Sequence, residues 1–515
     1  MKSKHLYLIW FIALLPVMIL RDYTPNNELR YLSIVDEALR NGDVFTFTNQ
    51  GEIYADKPPL FFWLMMAGKT LLGGHRMWFL SLLSFIPAVI ILMTMAKWVR
   101  DENSENQTEA SLMLMTTGLF TGLALVVRMD MLMCMFITLS LYTFYKIYKG
   151  EARKRDSYLF SIYVFLALFS KGPIGILVPL LSTFVFLLYQ RKIHTWKQYW
   201  GWKSLSILLL GCGIWFTGVY LESGREYLDN LLVHQTVGRG INAFHHKRPF
   251  YYYATSVWYS LAPWMFLSVG LIIAGMIRKK IQTDIERYFL VIILTTFVML
   301  SIISSKLSVY LLPAFPFFIY LSVLLLKKFD TTNLWLRLLL AIPAVIFALA
   351  LPAIIYLSKT DETFFTGVPL VYFAAGITTL SGLAVLYLLF LKKQMRQSIR
   401  VMAFGVLLTV FVAGLAMPQL NPYMGWNKLC EKAYAVASEK NTSDYYVYGI
   451  SRAESMDVFL KKDVIFAEKE EIINNSLAGQ LLLISDKAIK NDTEIQSVIH
   501  NKEQYKVGNF VIVVF

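Results

Sequence analysis

Thirteen separate apolar runs, each about long enough to cross a bilayer, constrain this chain more than any other feature. A helix needs about 20 mostly apolar residues to span about 30 Å of hydrocarbon. Runs of that kind lie near 5–20, 77–98, 111–127, 131–148, 157–169, 172–189 and 204–221, then near 255–277, 288–304, 308–326, 336–357, 368–391 and 401–417. A fourteenth candidate, Pro58 to Leu72, is short and carries Lys69. Of 515 residues 56% are hydrophobic and 16% charged, against about 45–50% apolar and about 25% charged in soluble chains. A soluble enzyme cannot hide that much apolar surface, and a nucleic-acid binder carries more charge. The chain reads as a mostly α polytopic membrane protein. Its first run is followed by Arg21-Asp-Tyr-Thr-Pro25 and not by a small-x-small cleavage site, so it is read as an uncleaved span. Cys134, Cys212 and Cys430 are too scattered for a disulfide framework or a zinc cluster and read as small buried hydrophobes.

The excess of 49 Lys+Arg over 35 Asp+Glu, a net +14, orients the spans through the positive-inside bias. With a cytoplasmic N-terminus and 58–72 not crossing, the inner loops hold Lys146–Arg155, Arg191–Lys203, Arg278–Arg287, Lys327–Arg337 and Lys392–Arg400, whereas Arg128, Lys171, Lys306 and Lys359 stand singly in short outer connections. A crossing at 58–72 inverts this bias, so thirteen spans are expected, with the C-terminus outside. Residues 1–420 then form the membrane domain, with outer loops 21–76 and 222–254. Residues 421–515, where charged, turn-rich stretches separate Tyr445–Ile450, Leu481–Ile484 and Phe510–Phe515, form a small α/β soluble domain on the outer side.

Charges at membrane depth are costly and usually functional, and here nearly all of them share the outer side. Glu28, Arg30, Asp56 and Lys57 lie in the first loop; Arg128, Asp130, Lys171 and Lys306 sit at span junctions; His234, Arg239, His245, His246, Lys247 and Arg248 lie in the second loop. Each has a plain alternative: an interfacial ion pair for Arg128 and Asp130, snorkelling for Lys171, a rigid turn for Lys57-Pro-Pro59. Tyr251, Tyr252, Tyr253, Trp258 and Trp264 fit an interfacial aromatic belt. The clustering of the charges from five connections favours one cavity. Lys and Arg at its mouth suit a phosphate, and neighbouring carboxylates suit proton abstraction or sugar orientation. A lipid phosphate carrying a sugar meets both demands.

The first-loop residues Asn27-Glu-Leu-Arg-Tyr31, Asp36–Asp43 and Tyr54-Ala-Asp-Lys-Pro-Pro-Leu60 with Trp63 resemble the signature of polyprenyl-phosphate-sugar-dependent glycosyltransferases of fold C. The branches concerned are the lipid A aminoarabinose transferases and the protein O-mannosyltransferases. Arg128-Met-Asp130, Ser170-Lys-Gly-Pro173 with Pro179, and Ser304-Ser-Lys306 with Tyr310-Leu-Leu-Pro313 match in order and spacing, so the resemblance covers roughly 1–420. It implies an enzyme of a bacterial inner membrane that moves a sugar from a polyprenyl-phosphate donor to a glycolipid such as lipid A, by inverting displacement. Lys57 would grip the donor phosphate beside Asp56, and Asp130 and Glu28 match acidic positions, with Arg30 and Tyr31 following. Arg128 and Lys306 would complete the anionic pocket, joined by Lys171, Tyr310 and Arg239.

The chain departs from the pattern at Asn27, where the first acid is usual. An amide is no base, so either Glu28 takes that role or the acceptor is already ionised, as a phosphate is. The alternatives are transfer to a protein hydroxyl and, from another class, a lipid flippase or transporter. No cofactor is called for. A divalent metal has weak candidates in Glu28, Asp130 or the His245–His246 pair, without ligand spacing to support them. The tail acids Asp444 and Asp457 are expected to be non-catalytic, and no nucleic-acid partner is expected.

Overall fold

The computed structural model describes residues 3–100, 107–232, 248–359, 364–442 and 444–515. In hydrocarbon every backbone polar group must be satisfied within the protein, which leaves helices as the form for apolar runs. Among the described residues, eight helical segments are long and apolar enough to cross a membrane, including Met77–Val99, Asp130–Tyr148, Asp284–Ile302 and Ser308–Leu326. The count is nine when the pair His5–Leu20 and Pro25–Asn41, bent by 73°, is one span. Other runs fold as shorter or interrupted helices. The runs near 157–169 and 172–189 are helices of 16 residues, Asp156–Lys171 and Ile174–Tyr189.

Two further runs are interrupted, and their breaks repair one another. The first divides into Gln107–Met115 and Gly118–Leu125, the second into Tyr252–Ser260 and Met265–Ile277. The Gly118 amide donates to the Ala262 carbonyl at 2.8 Å, and the Trp264 indole donates to the Thr116 hydroxyl at 3.0 Å. Groups freed by one break are satisfied by the other, as a low-dielectric interior demands. Trp264 is fully buried in this contact, as is Tyr253, so neither belongs to the expected surface belt, whereas Tyr251 and Trp258 are exposed.

The short helix Leu60–Leu72 packs beside Arg30–Asn41. Its Lys69 is held by the Asp36 carboxylate, which His75 also meets at 2.5 Å. That ion pair explains a lysine in an otherwise apolar helix. Several helices run from a common site-bearing end to a basic far end. There Lys146 pairs with Asp156 at 2.7 Å, Lys328 with Glu286 at 2.6 Å and Arg400 with Glu109 at 2.5 Å.

The tail folds as a five-stranded sheet. With β1 (Thr48–Asn49) and β2 (Glu52–Ile53) forming a small hairpin earlier in the chain, the sheet comprises β3 (Tyr445–Tyr448), β4 (Ile465–Phe466), β5 (Leu481–Ser485), β6 (Glu503–Val507) and β7 (Phe510–Val514). Their order is β4-β3-β5-β7-β6. β3 runs parallel to β4 and β5, and β7 runs antiparallel to β5 and β6. The three apolar segments read from sequence are the central strands, and the wholly buried β5 is the middle one. The short β4 and the mostly exposed β6 close the edges.

Sheet and helices meet at a polar seam. The Ser33 hydroxyl donates to Asp457 at 2.9 Å, the Asn427 amide donates to Asp22 at 2.8 Å, and Tyr23 packs on Phe459. Asp457 is a structural acid, and Asp444 pairs with Lys462. Burial pushes the Asp457 carboxyl up to about 6 from 3.8. The folded chain therefore holds this proton up to about pH 6, while the unfolded chain loses it near pH 4. The stabilisation is complete below pH 4 and lost as pH rises through 6, a swing of up to about 3 kcal/mol. The melting temperature is expected to fall between pH 5 and pH 7.5, and Asp457→Asn to flatten that fall. An equal fall in the variant contradicts the assignment.

Candidate active site

Asp130 organises the site. It opens the helix Asp130–Tyr148, where the helix dipole favours a carboxylate, and it is 1% exposed. Arg128 donates to it through Nε at 3.0 Å, and Lys171 meets its other oxygen. Arg128 sits on the extended stretch after Leu125, fixed by the Ser84 hydroxyl, which donates to the Val126 carbonyl at 2.7 Å. Lys171 ends its helix, and the chain then turns at Gly172 with φ +104°, a conformation L side chains rarely adopt. The Lys171 ammonium also lies 4.6 Å from the Tyr310 ring centroid, a cation–π distance.

The first loop is fastened to this centre by a second buried acid. Glu28 is fully buried and accepts two hydrogen bonds from the Arg21 guanidinium at 2.6 and 2.7 Å. It accepts further bonds from the Thr24 amide and hydroxyl and from the Val127 amide at 2.6 Å. Arg21 also donates to the Leu125 carbonyl. Glu28 thus ties residues 21–28 to the extended stretch leading into Arg128. Farther along, Glu222 accepts the amides of Val44, Phe45 and Thr46, and the Tyr227 hydroxyl donates to the Tyr54 carbonyl at 2.9 Å. The start of the second loop thereby holds the approach to Asp56 and Lys57.

These constraints enclose a polar cavity of about 610 Å³. Arg30, Tyr31, Asp56, Lys57, Arg128, Asp130, Lys171 and Tyr310 all line it, so eight residues singled out from sequence converge. Two do not reach it. Glu28 is turned into its donors. Lys306 donates to the carbonyls of Ile303 at 2.5 Å and Arg248 at 3.2 Å, while its neighbours Ser305 and Leu307 face the cavity. In an extended stretch alternate residues face opposite sides, which places Lys306 behind the wall. Arg239, His245 and His246 lie outside the described residues. Among the described residues no three His, Cys, Asp or Glu side chains gather as a metal site.

Asn26, Asn27 and, from the tail, Arg452 also line the cavity. Asn27 had been marked by its departure from the acidic pattern. Arg452 carried no signal beyond being a cation in a polar segment.

An apolar groove of about 480 Å³ opens beside the cavity, walled by Leu168, Leu177, Trp215, Phe216, Leu300 and Ile303. Asp56, Lys57, Lys171, Ser305 and Tyr310 line both spaces. Cationic groups therefore stand where an apolar channel meets a polar chamber.

Residues 56–215 match the family described as dolichyl-phosphate-mannose-protein mannosyltransferase. An uncharacterized protein of Aquifex aeolicus is 28% identical over 323 residues, covering 60% of this chain and 62% of its own. The undecaprenyl phosphate-alpha-4-amino-4-deoxy-L-arabinose arabinosyl transferase 1 of Pseudomonas fluorescens is 24% identical over 360 residues, covering 68% of this chain and 62% of its own. The alignments thus span less than two thirds of these relatives. ArnT from Cupriavidus metallidurans, solved with undecaprenyl phosphate bound, superposes with a TM-score of 0.77 at 17% identity, over 100% of this chain and 98% of that one. Its apo form gives 0.74. The chain is a polytopic membrane protein with the architecture of the fold C glycosyltransferases. Its sequence similarity runs to the aminoarabinose transferases and the mannosyltransferase family model, in line with the first-loop resemblance.

The Arg21–Glu28 pair gives a direct test of the scaffold. Removing one partner of a buried pair costs about 3–5 kcal/mol, because the other is left uncompensated. Glu28→Gln and Arg21→Met are each expected to lower the melting temperature in detergent by several degrees, and the double variant by less than the sum. Unchanged melting in both single variants contradicts the bracing role.

Proposed function

We propose that this chain transfers a sugar from a polyprenyl-phosphate donor to a phosphate-bearing glycolipid such as lipid A. The reaction is assigned to the outer face of a bacterial inner membrane. In this reading the N-terminus is cytoplasmic, residues 1–420 form the membrane domain and residues 421–515 lie in the periplasm. The observation that carries the reading is the union of apolar groove and cationic cavity through five shared residues. A polyprenyl tail fits the groove, its phosphate fits the junction at Lys57, and a sugar fits the chamber beyond.

The chemistry follows from where each side chain stands around the cavity. An acceptor oxygen forms a bond to the anomeric carbon as the bond from that carbon to the donor phosphate oxygen breaks. The electron pair leaves with the polyprenyl phosphate, and the anomeric configuration inverts. Lys57 and Arg128 stabilise the charge gathering on the leaving phosphate, and Asp130 holds Arg128 and Lys171 in place for it. Asp56, at the junction, orients a sugar hydroxyl. Asn27 offers an amide to the cavity, and Glu28 has its oxygens committed to Arg21, Thr24 and Val127. With the first acidic position an amide and the second turned away, the acceptor favoured is one that arrives ionised. This supports a phosphate over a serine or threonine hydroxyl.

Radiolabelled sugar transfer from a polyprenyl-phosphate donor to lipid A in vesicles tests the assignment. Lys57→Ala is expected to slow transfer by about 100-fold, the scale of one lost charge-assisted contact to developing charge, and Asp130→Asn to slow it as well. Undiminished transfer in both variants sinks the site, and lipid movement without transfer favours a flippase. With a phosphate acceptor, whose second pKa is near 6, the rate is expected to climb to a plateau above about pH 7. Asn27→Asp is expected to slow it by adding negative charge beside the nucleophile. Acceleration by Asn27→Asp points instead to a hydroxyl acceptor that lacks a base.

A further inference from the structure

The cavity receives one cation from the C-terminal sheet, and that cation is uncommitted. Arg452 lines the polar chamber but not the apolar groove. Its side chain is exposed and makes no hydrogen bond or ion pair among the described residues. Of the other two guanidinium groups of the chamber, Arg128 differs in this respect and Arg30 does not. Arg128 is bound to Asp130. Arg30 lies 5.7 and 5.5 Å from the ring centroids of Tyr31 and Tyr54, and its buried Nε has no partner.

The backbone holds Arg452 in place. Its φ of +63° is uncommon for a residue with a side chain and persists only where the surroundings impose it. Those surroundings are the turn Ala453–Met456, whose Ala453 and Met456 are fully buried, packed against Pro25–Leu29 and Arg30–Asn41. The Ser33–Asp457 hydrogen bond pins the next residue. The segment that carries Asn26, Asn27 and Arg30 into the chamber is therefore the one on which the Arg452 turn rests.

We propose that Arg452 binds the phosphate of the acceptor, opposite Arg30, so that the C-terminal sheet completes the acceptor-binding site. This rests on the glycosyl-transfer reading above. The donor phosphate is assigned to the junction with the groove, and Arg452 lies on the wall that the groove does not share. A guanidinium free of carboxylates presents a planar fork of donors matched to phosphate oxygens.

Binding of purified full-length protein to bisphosphorylated lipid A, its dephosphorylated form and undecaprenyl phosphate, each in detergent, tests the proposal. Arg452→Ala is expected to weaken lipid A binding by about 10- to 100-fold, the scale of one charge-assisted contact. Arg452→Lys should recover part of that loss, and the dephosphorylated lipid should bind wild type and Arg452→Ala alike. Undecaprenyl phosphate should bind Arg452→Ala as it binds wild type, which also shows the variant folded. Lipid A binding within twofold of wild type, or an equal loss for undecaprenyl phosphate, overturns the proposal. Wild type that binds undecaprenyl phosphate but not lipid A overturns the phosphate-acceptor reading with it, whereas wild type that binds neither overturns the transferase reading itself.

Discussion

A carboxylate buried among apolar helices persists only if its charge is matched at once, because an isolated ion in that setting is prohibitively costly. Asp130 is matched twice, by Arg128 from its own chain end and by Lys171 from the neighbouring hairpin. The site depends on this three-membered cluster. It fixes the ends of three helices, puts Lys171 under the Tyr310 ring, and sets one wall of the cavity. In the proposed reaction Asp130 acts by holding these cations, a positioning role.

The Arg21–Glu28 pair extends the same logic to the first loop, and the facing breaks at Thr116–Gly118 and Ala262–Trp264 extend it to the bundle. Through Glu28 to Val127, Arg21 to Leu125 and the two facing breaks, polar groups inside an apolar assembly find partners from distant parts of the chain. These long-range matches make a rigid frame from helices that are individually short or bent. The frame in turn lets loops carry chemistry without drifting out of register with the groove.

Much of the site was legible because charge contrasts sharply with an apolar run. Arg128, Asp130 and Lys171 stand out against their spans, and Lys57 stands out before two prolines. The contrast reveals that a residue is there for a purpose, yet it does not reveal which way the side chain turns. Lys306 and Glu28 carry the same signal as Lys57 and are held behind the wall by carbonyls and by Arg21. Helix breaks were hidden for a related reason: hydropathy over a window averages across Thr116–Gly118 and across Leu261–Trp264, whose repair is a tertiary event. Arg452 was illegible because an arginine in a polar tail has no contrast at all. The central strands of the tail showed in their apolar runs, whereas β4 and β6 are too short or too exposed to do so.

The account turns on one spatial claim, that a lipid phosphate sits where groove and chamber join. A density map of the protein with undecaprenyl phosphate bound tests it most directly. The expected result is a phosphate within about 3 Å of the Lys57 ammonium, a hydrogen-bond distance, with the isoprenoid chain running along Leu168, Leu177, Trp215 and Leu300. A phosphate bound away from Lys57, with the groove unfilled, contradicts the account.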